Sequence, residues 1–290
     1  MQQRYRKAVY TTLAIFIALT VICAGMIMLA RRAEDTRVIF FDIGQGDATL
    51  ISEGSNQILI DGGPNGTLLL ERLGAHMPFW DRTIETVIAT HPDEDHINGL
   101  VDVMDQYKVE HMIMTGAQKD SKTFIALAES LERYNVDVID AFFGHTIVFP
   151  SGAEYRIVYP FDRVASDATG DWNAMSVSGV FHSGNEKFFL GGDLPSEQEE
   201  LLPLTDEITV LKASHHGSKS STSDAFLSQI MPRDTVISAG KENRYGHPAQ
   251  EILDRLNSSN IKIFRTDEMG TIQYICSRDK GMCEIKVDRM

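Results

Sequence analysis

A run of 23 uncharged, mostly apolar residues, Ala8–Ala30, most constrains what this chain can fold into. At about 1.5 Å per residue, a helix of this length reaches roughly 34 Å, enough to cross a hydrocarbon core of about 30 Å. The run therefore predicts an N-terminal membrane anchor over residues 1–32 and a separate domain over residues 33–290.

The charges beside this run indicate an orientation. Three basic residues and the α-amino group precede it, whereas Arg31 and Arg32 behind it are offset by Glu34 and Asp35. This bias favours a single-pass protein of the cell membrane with its C-terminal domain outside the cytoplasm. A cleaved signal peptide is the alternative, but the run is long and no small-x-small cleavage site stands out.

Charge and cysteine content exclude several classes for the remainder. Residues 1–32 hold five of the 27 basic residues and none of the 41 acidic ones, which leaves a net charge of −19 on residues 33–290. Such an acidic body is unlike a nucleic-acid carrier, which depends on cationic neutralisation of phosphates. Three cysteines are too few for a disulfide scaffold or a cysteine-rich zinc module.

Residues 36 onward alternate between strand and helix patterns, without an internal repeat or linker. Two β-rich blocks with interspersed helices predict two sheets packed face to face and covered by helices. The predicted strands are 38–43, 48–52, 57–61, 85–89, 112–114, 136–139, 147–149, 155–159, 176–181, 187–190, 208–213, 235–238, 261–264, 271–275 and 284–287. The predicted helices are 68–73, 97–107, 123–134, 223–230 and 249–256.

Four potential metal ligands follow the apolar strand that ends at Ala89. They are His91, Asp93, Asp95 and His96. On a loop these side chains can converge on one point, whereas a helix would distribute them around its circumference. Imidazole and carboxylate together suit Zn²⁺ or Mn²⁺ better than Ca²⁺. A polar turn capping the helix that begins at Ile97 is the alternative, but a cap needs only one of them.

The spacing His-x-Asp-x-Asp-His resembles the His-x-His-x-Asp-His signature of the metallo-β-lactamase superfamily, with Asp93 in place of the second histidine. That replacement is typical of the branch that contains the hydrolase domain of the ComEC family of DNA-uptake channel proteins. The family's large multi-helix membrane channel is missing, and one anchor stands in its place. Further matching motifs follow in order at Phe41–Asp47, Ile60–Gly63, Leu190–Leu194, Lys212–Ser218 and Tyr245–Pro248.

The resemblance implies an α/β fold, the αββα metallo-β-lactamase sandwich, with two divalent metal ions at one edge. His91 and Asp93 would hold the first ion, and Asp95 and His96 the second. Asp193, which ends an apolar strand, would bridge the two ions, although an N-cap is its alternative role. His247 is the candidate for the last histidine ligand, with a loop histidine held by Pro248 as the alternative.

Other positions are less constrained. Asn173 occupies the place where relatives usually have a further histidine ligand, so the first ion would be under-coordinated or completed by His215 or His216. These two histidines are expected to alternate in direction at a strand end, so that only one points at the metals. The other would donate a proton or contact phosphate.

The groups around the site have supporting roles in this scheme. Asp47 and Asp61 are expected to fix imidazoles or the loop, since metal-bound histidines usually donate their other N–H. Lys212 and Ser218 are candidates for contacting a substrate phosphate, with surface solvation an equally good interpretation for Lys212.

Two bridged cations lower the pKa of a shared water and so supply hydroxide near neutral pH, which Asp95 can orient. His215 or His216 could protonate the leaving oxygen. The chain is therefore predicted to be a membrane-anchored metallo-hydrolase, a phosphodiesterase or nuclease acting on single-stranded DNA. The alternatives are a phosphodiesterase of the cell envelope, acting on phosphorylcholine or teichoic-acid esters, and a non-enzymatic membrane-anchored binding protein.

Cys276 and Cys283 bear on the compartment. A two-residue turn at Asp279-Lys280 between strands 271–275 and 284–287 would place them opposite each other, at a spacing that permits a disulfide. Two free thiols in a reducing cytoplasm are the alternative.

Overall fold

The N-terminal unit is a single helix. The computed structural model describes residues 2–32, 35–205, 207–277 and 281–289, and the chain divides into two units, 1–35 and 36–290. The first unit is helix α1 (Gln2–Arg32), whose segment Arg4–Met26 has a mean hydropathy of 2.1. This helix is long and apolar enough to cross a membrane. The predicted boundary between anchor and domain, at residues 32 and 33, stays a prediction.

The second unit contains two β-sheets. The larger sheet has the strand order β15-β14-β1-β2-β3-β4-β5-β6. Its strands are β1 (Thr36–Phe40), β2 (Thr49–Glu53), β3 (Asn56–Ile60), β4 (Thr83–Ala89), β5 (Lys108–Met114), β6 (Asp137–Asp140), β14 (Ile272–Cys276) and β15 (Glu284–Val287). Strands β3 to β6 are parallel, and the remaining pairs are antiparallel.

The smaller sheet has the order β13-β12-β11-β10-β9-β8-β7. Its strands are β7 (Thr146–Val148), β8 (Glu154–Tyr159), β9 (Ser178–Ser183), β10 (Glu186–Leu190), β11 (Val210–Lys212), β12 (Asp234–Ile237) and β13 (Lys262–Arg265). Strands β10 to β13 are parallel. Each sheet thus has a parallel part, whose strands end at one edge.

Seven helices flank the two sheets in the described part of this unit. They are α2 (Gly66–His76), α3 (Glu94–Gln106), α4 (Lys122–Arg133), α5 (Ser196–Glu199), α6 (Asp224–Ile230), α7 (Gln250–Ser258) and α8 (Thr266–Met269). The buried faces of α2, α3 and α4 join the larger sheet in one apolar cluster, and those of α6 and α7 join the smaller sheet in another. The predicted αββα sandwich is therefore confirmed.

The central core lies between the two sheets. Phe40 and Ile51 of the larger sheet, and Phe181 and Phe188 of the smaller one, are fully buried there. At about 25 cal/mol per Å² of apolar surface removed from water, this core holds the two sheets in fixed positions. The strand ends that carry the predicted ligands are thereby held on a common rigid support.

The predicted strands and helices are present, with bounds displaced by up to four residues. The structure adds two short helices, α5 and α8, which are not among the helices predicted from the sequence. The largest consequence concerns α3, which begins at Glu94 rather than Ile97. Asp93 is its N-cap residue, and the helix therefore includes two of the predicted metal ligands.

Cys276 and Cys283 form a disulfide at the edge of the larger sheet, with their Cα atoms 4.2 Å apart. The pairing of Ile275 with Glu284 continues directly to the two cysteines, as the sequence predicted. The predicted turn at Asp279-Lys280 lies outside the described residues.

We expect this disulfide to stabilise the β14–β15 hairpin mainly by restricting the unfolded chain. For a loop this short the expected contribution is about 2 kcal/mol. Replacing both cysteines by alanine should lower the free energy of unfolding by that amount in urea titrations. A reducing agent should destabilise the unaltered chain similarly and leave the variant unchanged; an unaltered chain insensitive to the reductant would contradict the prediction.

Candidate metal centre

The site lies where parallel strands of both sheets end. Asp61 follows β3, His91 follows β4, Asp193 follows β10 and the His215-His216 pair follows β11. All of these strands run toward the same edge of the sandwich. Loops that are distant in the sequence therefore meet there, as is usual for sites at the carboxyl ends of parallel strands.

Asp61 holds the loop of predicted ligands in place. Its buried carboxylate accepts hydrogen bonds from the Thr90 backbone N–H and the Thr90 hydroxyl, each at 2.8 Å. It also accepts the Nδ1–H of His96 at 2.8 Å. The role predicted for Asp61, fixing an imidazole and its loop, matches this geometry.

Hydrogen bonds to Nδ1 set the tautomers of His91 and His96. Because the Thr90 hydroxyl donates to Asp61, its oxygen accepts the Nδ1–H of His91, at 3.0 Å. In both histidines Nδ1 therefore carries a proton, and Nε2 is the ring nitrogen that faces Asp193. Both Nε2 atoms are buried, and neither has a hydrogen-bond partner.

Asp193 lies at the centre of the cluster. Its Oδ2 atom is 3.3 Å from Nε2 of His96 and 3.8 Å from Nε2 of His91. It is also 3.6 Å from Nε2 of His216 and 3.8 Å from Nε2 of His215. The strand end that carries Asp193 requires Gly192, since its φ is +59° and a Cβ there would approach Thr90 to 3.0 Å.

Asp93 and Asp95 differ in their surroundings. Asp93 makes no side-chain cap bond to α3; it accepts a hydrogen bond from Lys119 at 2.7 Å and lies 3.8 Å from Nε2 of His91. Asp95 lies 3.3 Å from Nε2 of His216, and about a third of its side chain is exposed.

The expectation that all four ligands lie on a loop is wrong, because Asp95 and His96 belong to the first turn of α3. They still converge with His91 and Asp93, since they lie directly beside the loop and span less than one turn.

The expectation that His215 and His216 alternate in direction is also wrong. They do not continue β11 but form a short turn with φ values of 52° and 57°, the left-handed region. This turn directs both rings toward Asp193. Two successive non-glycine residues with this conformation are costly, so the surrounding structure must hold them.

Asp47, Lys212 and Ser238 support His216 from behind. The Nδ1–H of His216 donates to the Ser238 carbonyl at 3.1 Å and lies 3.3 Å from Asp47. Lys212 is buried, and its ammonium is 2.5 Å from the Asp47 carboxylate. The predicted contact of Lys212 with substrate is therefore corrected: a buried, ion-paired ammonium does not reach a ligand in solvent.

The remaining predicted residues lie around this cluster. The ring of His247 is 5.6 Å from that of His215, and its buried Nδ1 has no hydrogen-bond partner. Ser218 is buried and hydrogen-bonds Ser220, whose hydroxyl is 3.3 Å from Nδ1 of His215. Asn173 begins a 3₁₀ turn that ends at Met175. The hydroxyl of the following residue, Ser176, accepts a hydrogen bond from the Asp193 backbone N–H.

The donor set fits divalent metal ions. In the part of the chain that the structure describes, His91, His96 and Asp193 form one group of convergent ligand atoms, and Asp95, His96 and His216 form another. Two ligands each about 2.1 Å from a tetrahedral ion are about 3.4 Å apart. The nitrogen–oxygen distances of 3.3–3.8 Å around Asp193 match this separation and are too long for good hydrogen bonds.

Charge within the cluster supports the same conclusion. Burial favours neutral imidazole at His216, but Asp193 and Asp47 outweigh it and raise the pKa of His216 to about 10. Burial alone would raise the pKa of Asp95 and of Asp193, but the neighbouring histidines outweigh it. The pKa of Asp95 is lowered to about 2, and that of Asp193 lies well below its usual value. The carboxylates thus stay ionised, and their negative charge attracts either protons on the imidazoles or divalent cations in place of those protons.

Thr90, Ser176, Lys119 and Tyr245 were not identified from the sequence. Threonine and serine are common in loops, and only the fold brings their hydroxyls to His91 and Asp193. Tyr245 is 54% exposed, with its ring 5.8 Å from that of His247. The Tyr-Gly-His-Pro motif contained Tyr245, but nothing in the sequence showed that its ring would border the site.

A buried glutamate holds the loop that carries the two left-handed histidines. Glu199 is fully buried at the end of α5, and its carboxylate accepts the backbone N–H of Thr222 at 2.5 Å. Arg255 donates to the carbonyl of Thr222 at 2.8 Å. Within the loop, Ser221 donates to the carbonyl of Ser214 at 2.7 Å. Burial raises the pKa of Glu199 to about 7.

Comparison with known families supports the fold. The family model described as "Metallo-beta-lactamase superfamily" matches residues 41–241. Among curated relatives, ComE operon protein 3 of Bacillus subtilis is 31% identical over 268 residues, covering 83% of this chain and 33% of that protein. Recombination protein 2 of Haemophilus influenzae is 24% identical, covering 89% of this chain and 31% of that protein. The chain thus spans about a third of the length of these relatives.

Solved structures share the fold at low sequence identity. The metallo-beta-lactamase fold protein YhfI of Bacillus subtilis superposes with a TM-score of 0.56 and 9% identity, covering 83% of this chain and all of that one. Igni18, a metallo hydrolase of Ignicoccus hospitalis, gives a TM-score of 0.55 and 13% identity, covering 82% and 98%.

Glu199→Gln should change how stability depends on pH. A buried carboxyl with a raised pKa contributes stability that is fully present below its ordinary value of 4.5 and is lost as the pH rises to about 7. The loss amounts to roughly 3 kcal/mol. Glutamine does not ionise, so the free energy of unfolding of the variant should gain that amount over the unaltered chain between pH 4.5 and 8.

Urea titrations of the detergent-solubilised chain in the presence of a chelator measure this difference. The exposed Glu197→Gln, in the same helix, is the matched control and should show the pH dependence of the unaltered chain. A constant difference between Glu199→Gln and the unaltered chain at all pH values would contradict the prediction.

Proposed function

The chain belongs to the metallo-β-lactamase superfamily, and from this premise we propose that it is a membrane-anchored, metal-dependent phosphodiester hydrolase that acts on single-stranded DNA. One observation carries the hydrolase proposal: four imidazole Nε2 atoms surround one carboxylate oxygen of Asp193 at 3.3–3.8 Å. Divalent ions bound between these atoms would take the place of the protons that the imidazoles otherwise carry. The superfamily resemblance supports two ions, and the mixed imidazole and carboxylate donors support Zn²⁺ or Mn²⁺.

When bound, such ions lower the pKa of a coordinated water and polarise a phosphoryl oxygen. We assign His91, Asp93, Asp95, His96, Asp193 and His216 as ligands, with His247 completing the set on the exposed side. Asp95 has the most exposed carboxylate of the central cluster and a low pKa, so it is ionised and able to orient an attacking water.

His215 is suited to the leaving oxygen. About a quarter of its side chain is exposed, whereas His91, His96 and His216 are buried. Its Nδ1 lies near the Ser220 hydroxyl, which fixes the ring, and Nε2 faces the centre. An imidazole at the opening of the site can deliver a proton to the oxygen that departs with the substrate chain.

Four exposed residues border the opening of the site and are here called the rim: Lys219, Lys241, Arg244 and Tyr245. Their chemistry supports a single-stranded nucleic acid as substrate. Tyr245 offers an exposed ring on which a base can stack, and the guanidinium of Arg244 lies 4.8 Å from that ring. Lys219 and Lys241 are exposed on neighbouring loops. Because charges are screened within about 8 Å at physiological salt, these groups act on a bound strand despite the acidic body. The resemblance of the motifs to the ComEC family of DNA-uptake channel proteins favours the same substrate.

The acidic body favours a second candidate. A net charge of −19 on residues 33–290 disfavours contact with a long polyanion beyond the immediate rim. A smaller phosphodiester of the cell envelope would meet only the metal centre and avoid this repulsion. The two candidates share the chemistry and differ in how they depend on the rim.

We further propose that α1 remains as an anchor and that the hydrolase domain lies outside the cytoplasm. The basic residues before the apolar run support this orientation. The disulfide between Cys276 and Cys283 also supports it, because disulfides persist in oxidising compartments.

Asp95→Asn should lower kcat/KM for any phosphodiester substrate by about 10²-fold or more, since it removes the group that orients the attacking water. Glu94→Gln is the matched control, because it removes one charge from an exposed neighbour in the same helical turn. Rates of bis(p-nitrophenyl) phosphate hydrolysis in the presence of Zn²⁺ or Mn²⁺ measure both variants. Equal activity in the two variants would contradict the role of Asp95.

The rim should matter only for a nucleic acid. Replacing Arg244 and Tyr245 together by alanine should raise KM for single-stranded DNA about tenfold or more, because one base stack is worth roughly 1–3 kcal/mol. KM for bis(p-nitrophenyl) phosphate should stay within about twofold. Equal effects on both substrates, or turnover of a choline phosphodiester without cleavage of DNA, would favour the envelope phosphodiesterase.

A further inference from the structure

Two adjacent aromatic side chains are exposed on the loop between α2 and β4. Phe79 is 81% exposed and Trp80 is 69% exposed, and their ring centroids are 4.8 Å apart. Adjacent exposed aromatic rings are a costly feature on an acidic, soluble surface and mark a contact with another phase or molecule. They lie far from the metal centre, so the proposed hydrolysis does not use them.

The pair belongs to the edge of the larger sheet that is opposite the site. Strand β4 begins just after it, at Thr83, and ends at the site loop. The loop is tied to this edge by the side-chain amide of Gln57, which donates to Asp81 at 3.1 Å. With seven residues at about 3.3 Å each, β4 separates the pair from His91 by roughly 23 Å.

The first strand of the domain begins at the same edge. Strands β1 and β2 are antiparallel, as are β2 and β3, whereas β3 and β4 are parallel. The start of β1 therefore lies on the same edge as the start of β4, and the Thr36 hydroxyl contacts Glu53 at the end of β2. Three strand spacings of about 4.8 Å put Thr36 roughly 14 Å from the start of β4.

A short segment of the chain links the apolar helix to the first strand of this edge. Only residues 33–35 separate Arg32, the last residue of α1, from Thr36. Four Cα–Cα steps of 3.8 Å reach at most about 15 Å. The segment that links α1 to the first strand of this edge is therefore no longer than about 15 Å.

The chemistry of the edge fits a lipid surface. Tryptophan concentrates at membrane–water interfaces, where an amphipathic ring meets both phases. Beside the pair, exposed Arg82 has its guanidinium 5.4 Å from the Tyr107 ring and makes no ion pair with the described residues. Met231 and Met282, 63% and 66% exposed, precede strands β12 and β15 at the same end of the domain.

We propose that Phe79 and Trp80 insert into the interfacial layer of the bilayer that α1 spans, with Arg82 directed at lipid phosphate. This inference rests on the proposed membrane anchoring. The insertion gives the domain a second attachment and fixes its orientation. The metal centre then opens away from the lipid, at a distance greater than the screening length of about 8 Å, so anionic lipids do not repel the substrate.

The two tryptophans of the chain, Trp80 and Trp172, allow a direct test. The full chain carrying Trp172→Phe, with Trp80 as its single tryptophan, is reconstituted into phosphatidylcholine vesicles with bromine at shallow or deep acyl positions. We expect shallow bromines to quench at least half of the Trp80 emission and deep bromines to quench less. The matched control carries Trp80→Phe and keeps Trp172, which precedes the 3₁₀ turn at the site end and should remain unquenched.

Flotation of the vesicles after a carbonate wash separates two kinds of failure. A chain that does not float with the vesicles overturns the anchoring and, with it, this inference. A chain that floats but whose Trp80 emission is unquenched by either lipid and quenched by aqueous iodide overturns the inference alone. A blue-shifted Trp80 that neither bromines nor iodide quench is buried against protein, such as a second copy of the chain, and also overturns it.

Discussion

Four carboxylates share one largely buried volume at the edge of the sandwich, and this concentration of negative charge governs the site. Asp47, Asp61 and Asp193 are buried, and Asp95 lies beside them. Each carboxylate is compensated: Asp61 by three donated hydrogen bonds, Asp47 by Lys212, Asp95 by His216, and Asp193 by the surrounding imidazoles. Because a buried charge is tolerated only when it is paired, the positions of the histidines and of Lys212 follow from the carboxylates.

The backbone around this volume adopts conformations that a chain does not adopt spontaneously. Asp61, His215, His216 and Thr222 all have positive φ values although none is glycine. Such residues cost of order 1–3 kcal/mol each and persist only where their surroundings determine them. Here the packed core between the sheets and the hydrogen bonds of Glu199 and Thr90 supply that constraint. The orientation of each imidazole ring is thus fixed before a ligand binds.

The sequence revealed the site through features that are local in the chain. His91 to His96 form a dense motif after an apolar strand, and Asp193 ends another apolar strand, so both were identifiable without coordinates. The role of Lys212 could not be identified in this way. A lysine in a loop motif is expected to be exposed, and only the fold places Asp47 against it. The paired direction of His215 and His216 depends on a left-handed turn that β-strand periodicity cannot predict. Strand order was equally inaccessible, since it depends on contacts between distant segments.

The position of β1 constrains the order in which the domain folds. This strand lies inside the larger sheet, and its neighbour on one side, β14, lies about 240 residues later in the chain, with Thr36 opposite Cys276. A ribosome or a translocation channel delivers residues in order, so β1 emerges first and waits for its partner until almost the whole domain has been delivered. Pairings of such long sequence separation also form slowly, because loop closure must precede them. The larger sheet therefore stays open until β14 has been delivered, which is after every strand that leads to the site.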